Sequence, residues 1–203
     1  YQFPPRPENK IRPTSLSQYD SGQFLAQPKL NGSCAEIYLN EKETKLFDRH
    51  EKEGIHLFRL DDKEVRNLYQ GKGWMMVTGE YMNKNKKDRQ GQPWNHKFVI
   101  WDIIVYNGQH LVGETFEERV HLMDDLFGTK DYNSYLYKVT DYIYRVKTFT
   151  KNFRKLYKEL SPIDMVEGLV LKRKKAKLER GSRQKNNVLS QVKVRKSTAN
   201  YEF

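Results

Sequence analysis

A single cysteine, Cys34, stands among the 203 residues. One thiol excludes an internal disulfide and a cysteine-based zinc cluster, and it suits a reducing compartment. No apolar run approaches the roughly 20 residues that a membrane-spanning helix needs, and no secretory h-region opens the chain, so no membrane partner is expected. Acids are scarce in one region. From Lys172 to Lys196 there are eleven Lys or Arg and one acid, Glu179, which accounts for nearly all of the net charge of +11. Runs of this kind are usually solvated loops. No amphipathic apolar face accompanies this one, so a lipid surface is disfavoured against a surface that tracks phosphates. Arg173, Lys174, Lys175, Lys177, Arg180, Arg183 and Lys185 are its candidate nucleic-acid contacts.

What is present suffices for one folded domain. Hydrophobic residues make up 37% of the chain and aromatics 13%, with Tyr and Phe dominating, which suits half-buried strands and contact with bases. Phe3-Pro4-Pro5-Arg6-Pro7 cannot be helical, and residues 1–20 read as an extended arm. Alternation predicts strands over 23–30, 34–40 and 44–49, joined by tight turns at Asn31-Gly32 and near Asn40. A short helix is expected over 61–70, a strand over 73–80, and a polar, Lys-rich connection over 81–96. Residues 97–105 form the clearest buried strand. Helices follow over 115–127, with Phe116, Val120, Met123 and Leu126 on one face, and over 151–160; strands over 166–171 and 189–194 close the series. This order predicts an α+β domain of mostly antiparallel sheets flanked by helices.

Several short motifs lie in fixed order along these elements. Lys29 sits in Gln27-Pro28-Lys29-Leu30-Asn31-Gly32-Ser33, where an apolar strand enters a turn. Alone, such a lysine is most often a surface residue beside a hairpin; placed near other cations it becomes a nucleophile. Phe47-Asp48-Arg49-His50 follows, then Thr78-Gly79-Glu80-Tyr81, then Phe98-Val99-Ile100-Trp101-Asp102-Ile103. Val166-Glu167-Gly168-Leu169-Val170-Leu171-Lys172 and Gln191-Val192-Lys193-Val194-Arg195-Lys196 complete the set. Glu167, ending an apolar stretch before Gly168, reads by itself as an ordinary strand-end glutamate. Alternation puts Phe98, Ile100 and Asp102 on one face of their strand and Val99, Trp101 and Ile103 on the other.

The series resembles the nucleotidyltransferase domain of the covalent family that includes ATP-dependent DNA ligases, RNA ligases and mRNA capping enzymes. That family's motifs run K-x-D-G, an arginine about twenty residues on, G-E, an aromatic strand ending F-D, E-G-(apolar)₃-K and K-x-K. The resemblance covers nearly the whole chain. It implies an ATP-grasp-like fold with a nucleotide cleft between sheets, in a domain spanning residues 21–203. It implies ATP as the cofactor, with AMP joined covalently to Lys29, and Mg²⁺ or Mn²⁺ held by Glu167 and Glu80. Lys193 and Arg195 would assist the chemistry. Gln27, Leu30, Asn31, Gly32, Arg49, Glu80, Phe98 and Lys172 would bind the nucleotide, with Phe98 stacked on the adenine, Gly79 letting the backbone approach the ligand, and Glu80 on the ribose.

Within the family, Trp101-Asp102 through Asn107-Gly108 to Leu111 and Glu117-Glu118-Arg119 resembles the F-D…G-x-x-L…E-R pattern of DNA ligases. The implied substrate is nicked double-stranded DNA, sealed by a monomer working in the cytoplasm, or in the host cytoplasm if the gene is a phage's. An RNA ligase of the same chemistry and a non-catalytic nucleic-acid-binding domain are the alternatives. Three positions depart from the pattern. Asn31 replaces the usual Asp, Cys34 stands where many DNA ligases have Arg, and Gln27 replaces a glutamate. The family's OB-fold domain, which follows K-x-K, is expected to be absent, because only seven residues follow Lys196.

Overall fold

The computed structural model describes residues 1–53, 59–179 and 187–197. Two sheets organise them. The smaller has the strand order β1-β11-β10-β2, built from β1 (Arg6–Lys10), β2 (Phe24–Leu30), β10 (Val166–Arg173) and β11 (Asn187–Arg195). The larger has the order β4-β3-β5-β6-β9-β8, from β3 (Ser33–Leu39), β4 (Thr44–Asp48), β5 (Met75–Met82), β6 (Lys97–Tyr106), β8 (Leu136–Lys138) and β9 (Ile143–Val146), with the short β7 (Gln109–His110) folded back on β6. Pairing is antiparallel except between β1 and β11 and between β6 and β9. The α+β architecture is the expected one, and the arm contributes β1 from its own residues 6–10.

The turn at Asn31-Gly32 does not make the expected hairpin. β2 and β3 lie in different sheets, so these two residues carry the chain from one sheet to the other. Neither takes a positive φ, the backbone that a tight type I′ hairpin turn requires. A side chain at Gly32 would strike the Tyr81 carbonyl and the Glu80 side chain, so the crossing runs hard against β5. The Asn31 N–H is satisfied by the Met165 carbonyl at 3.0 Å. β2 forms an edge of its sheet, and Ala26 exchanges hydrogen bonds of 2.8 Å with Phe149 there, which closes part of that edge.

Helix α2 (Phe116–Phe127) starts on a capping box in which Thr115 and Glu118 bond each other's backbone N–H. Phe116, Val120, Met123 and Phe127 are buried, and Leu126 packs half-buried against the same cluster. Helix α1 (Asp62–Arg66) is shorter than expected because Asp61 caps it but little apolar surface lies beyond Val65 and Leu68. Helix α3 (Phe153–Leu160) packs Phe153, Leu156 and Leu160 under the smaller sheet, beside a 3-10 turn over Pro13–Tyr19 that buries Leu16. Alternation missed this turn, β8 and β9, whose strands are too short to show a period.

One apolar cluster lies between the smaller sheet, α3 and the inner face of β6; a second lies between the larger sheet and helices α1 and α2. A charged group links them. Asp102 on β6 accepts two hydrogen bonds from Arg119 on α2, at 2.9 and 3.0 Å, and Lys172 on β10 stands 3.9 Å away. Burial pushes the Asp102 carboxyl upward, but Arg119 and Lys172 hold it below the ordinary carboxylate range. Removing one partner of such a pair strands the other in low dielectric. Arg119→Leu is expected to destabilise the fold by about 3–5 kcal/mol in urea unfolding; a loss under about 1 kcal/mol would show that the pair contributes little.

Candidate active site

The two sheets face each other across a cleft of about 750 Å³. From the smaller sheet, alternation delivers Gln27 and Lys29 on β2, Val170 and Lys172 on β10, and Gln191, Lys193 and Arg195 on β11. The register explains this grouping: Gln27 pairs with Val170 and Val170 with Lys193, while Lys29 and Arg195 flank Gly168. Gly168 has φ +153°, and a Cβ there would overlap the Val194 carbonyl oxygen, so only glycine fits between those strands. From the larger sheet come Cys34, Glu80 and Trp101.

Two of the chemically important side chains sit at irregularities. The pairing of β10 with β2 skips Glu167, and the pairing of β6 with β5 skips Trp101. An extra residue in a ladder turns its side chain away from strict alternation. Glu167 is thereby brought against the Lys29 amine at 2.5 Å, with Arg195 at 3.4 Å from the same carboxylate. Trp101 stays on the Val99 face of β6, where alternation puts it, and contributes to the cleft lining. Beyond this bulge the alternation of β6 shifts by one, which places Ile103 in the apolar cluster of Phe98 and Ile100.

One expectation is corrected. Phe98 is fully buried under the larger sheet and does not line the cleft. A side chain at Gly79 would collide with the Phe98 ring and the Val99 carbonyl, so Gly79 makes room for Phe98 and not for a ligand. Trp101 is the aromatic residue of β6 that lines the cleft. Its signal was its place directly before Asp102, the position of the phenylalanine in the F-D motif.

Glu80 is buried, accepts the Gly32 N–H at 2.9 Å, and faces both Lys29 and Glu167. Burial raises its carboxyl to about 7 against the pull of Lys29 and the Gly32 N–H, and Glu167 pushes the same way as burial. Lys193 donates to the Pro7 carbonyl at 3.0 Å, and burial together with Lys29, Lys10 and Arg195 lowers its pKa. Gln27 spends its amide nitrogen on the Trp101 carbonyl (3.1 Å) and Thr148 (3.3 Å), while its buried Oε1 has no hydrogen-bond partner. Lys172 lines the cleft, but its amine stands over the Phe116 ring at 4.4 Å beside Asp102, and burial lowers its pKa to about 8. Arg49 lies at the cleft mouth, exposed, its Nε bonded to His50 at 2.9 Å.

Leu30 and Gly32 contribute to the cleft wall, whereas Asn31 lies outside that lining and meets Lys84 at 3.4 Å. Lys84 and Asn83, within the stretch expected to be a mere connection, also line the cleft, as does Arg6 from the arm. Arg173 ends β10, and Lys174, Lys175 and Lys177 follow on a turn fixed to α2: the carbonyls of Lys174 and Ala176 accept the N–H groups of Glu117 and Phe116, respectively, and Lys175 pairs with Glu117 at 2.6 Å. Arg180, Arg183 and Lys185 lie outside the described residues. Among the described residues no cluster of three or more His, Cys, Asp or Glu is arranged for a metal, and no helix is long and apolar enough to cross a membrane.

A family model described as the ATP dependent DNA ligase domain matches residues 83–189. The chain belongs to that family. The matched span includes Trp101, Asp102, Arg119, Glu167 and Lys172, and it ends before Lys193. Among solved structures, mycobacterial DNA ligase D complexed with ATP and MES is similar with a TM-score of 0.69 at 13% identity, covering 96% of this chain and 60% of that one. The ligase domain of M. tuberculosis LigD gives 0.66 at 14%, covering 95% and 58%. The ATP-dependent DNA ligase from bacteriophage T7, in complex with ATP, gives 0.53 at 13%, covering 95% and 68%. At these identities the likeness is one of fold, and the chain spans about 60% of the length of the first two. No curated protein sequence matches it.

The two aromatics of β6 separate experimentally. Trp101→Ala is expected to weaken ATP binding by roughly 1–3 kcal/mol, about five- to a hundredfold, through loss of a stacking face. Phe98→Ala should instead cost about 3–5 kcal/mol of stability through its cavity; the reverse assignment of losses in calorimetry and urea unfolding would restore Phe98 as the ligand contact. Acid–base behaviour gives a second check. On β3, burial raises Glu36 to about 8 although Tyr1 and Tyr38 bond it. The native state therefore holds this proton where the unfolded chain has lost it, so the contribution of Glu36 to stability falls as pH rises from about 4.5 to about 8. Glu36→Gln should remove that fall, which thermal unfolding of both proteins at pH 5 and pH 8 will read.

Proposed function

We propose that the domain is the adenylyl-transferring part of an ATP-dependent DNA ligase, with Lys29 as the nucleophile. The carrying observation is the convergence of Lys29, Glu80, Glu167, Lys193 and Arg195, from four strands of two sheets, on one cleft. A cavity of about 750 Å³ has room for a nucleotide. Its buried acceptor, Gln27 Oε1, lacks a partner beside Trp101. An adenine stacked on Trp101 supplies one through its amino group. Glu80, titrating near neutrality, is placed to bond the ribose hydroxyls.

Glu167 orients the Lys29 amine in the resting state. As the Lys29 amine attacks the α-phosphorus of ATP, a P–N bond forms, the P–O bond to the leaving group breaks, the protons the nitrogen gives up pass to solvent, and pyrophosphate departs with the P–O electron pair. Lys193 and Arg195 lie on the same sheet face and stabilise negative charge growing on the phosphoryl oxygens. Glu167 and Glu80 are two carboxylates directed at one cleft, a donor set that suits Mg²⁺ or Mn²⁺ with water and phosphate oxygens completing the shell. A metal so held supplies further charge neutralisation at the phosphates. The nick 5′-phosphate then attacks the AMP phosphorus and frees Lys29, and the 3′-hydroxyl displaces AMP to close the strand.

In this reading residues 21–203 form the transferase domain, residues 1–20 its arm, and the protein acts as a monomer on nicked duplex DNA. The fixed basic turn at Arg173, Lys174, Lys175 and Lys177 contributes phosphate contacts. Family membership supports DNA over RNA. Mass spectrometry after incubation with Mg²⁺ and ATP should find AMP on Lys29, and GTP should leave no adduct. An adduct that persists in Lys29→Ala would displace Lys29 from this role.

A further inference from the structure

The opening segment crosses between the sheets. Tyr1 donates to Glu36 at 2.8 Å and to the Asp48 carbonyl at 2.9 Å, and the Gln2 N–H donates to the Tyr38 hydroxyl at 2.8 Å, all on the larger sheet. From Arg6 onward the chain is β1 of the smaller sheet, parallel to β11, with its register shifting between Pro7 and Asn9. The Lys193 amine fixes the crossing by donating to the Pro7 carbonyl. Between these anchors Pro5, Arg6 and Pro7 form part of the cleft wall.

Arg6 reaches the cleft where Cys34 and Arg49 approach it from the larger sheet and Lys193 from the smaller one. Cys34 stands between Arg6 and Arg49 in the lining. Its thiol stays neutral, because burial, Glu80 and Glu36 push it up to about 12, so it offers an anion no charge. The cations that act on this thiol are Arg6 and Arg49, and Arg6 acts on Glu36 and Lys193 as well.

We propose that Arg6, from the opening strand, acts with Arg49 from the opposite wall to clamp a phosphate group in the cleft. The inference rests on the ligase reading, and it adds a phosphate-binding residue from outside the motifs that define the site. A guanidinium suits this place because its planar fork bonds two phosphate oxygens at once. The phosphate is either part of the polyphosphate tail of ATP or the 5′-phosphate of the strand to be joined.

The test compares wild type, Arg6→Ala and Arg6→Lys by equilibrium binding, which needs no turnover. Two quantities are read at constant salt: the affinity for ATP, and the ratio of affinities for nicked duplexes carrying a 5′-phosphate or a 5′-hydroxyl. Arg6→Ala should lower one of them about tenfold or more, the scale of a lost charge-assisted contact, and Arg6→Lys should recover part of it. A loss in ATP affinity assigns the tail; a loss in the ratio assigns the strand end. If both quantities stay within about twofold of wild type, the proposal is overturned. Should Arg6→Ala not fold, Arg6→Gln is read in the same way. A wild type that neither binds ATP nor distinguishes the duplexes would overturn the ligase reading along with this one, a result distinct from an unaltered Arg6 variant.

Discussion

The passage of the chain from one sheet to the other at Asn31-Gly32 is the constraint on which the site depends. β2 ends one residue before it and β3 begins one residue after it. Lys29 therefore stays on one wall while Cys34 and Glu80 stand on the other, and the cleft between them is a product of the crossing. Gly32 has no room for a side chain against Tyr81 and Glu80. Its N–H holds Glu80 in place, so the residue that permits the crossing also orients a carboxylate of the site.

Charge organises the remainder. On the smaller sheet, Lys29, Lys193 and Arg195 lie on one face, and their repulsion is relieved by Glu167, which bonds both Lys29 and Arg195. Such an arrangement suits an anionic ligand that brings more negative charge than a single carboxylate supplies. Deeper in, Asp102, Arg119 and Lys172 tie a strand of each sheet to α2. The cluster lies next to the cleft through Lys172, so the group that joins the two sheets also forms part of the cleft wall.

Much of this was legible from the residues. The long buried strand over 97–105, the two amphipathic helices and the closing strands kept their places, because long periodic segments average over local irregularity. Lys29, Glu80, Glu167, Lys193 and Arg195 meet as the motif order implied. Phe98 and Trp101 were not separable by pattern: alternation offers one aromatic to each face, and only the packing of the smaller sheet on the Val99–Trp101 face decides which one meets the cleft. Lys84 and Arg6 were also illegible as cleft residues, since one sits in a polar connection and the other in a Pro-rich arm. Nothing local says where either stretch will lie.

By itself, the sequence determined the order of the longer strands and helices, the concentration of positive charge before the last strand, and the types of residue available for chemistry at a phosphate. These follow from local preference, periodicity and composition, which the chain carries unfolded as well as folded. Only the tertiary structure decided that β2 and β3 part company at Asn31-Gly32, that Glu167 and Trp101 stand at bulges, and that the arm brings Arg6 across the cleft. Each of these depends on the register between strands distant in sequence, and register is set by which side chains find room once the two sheets pack.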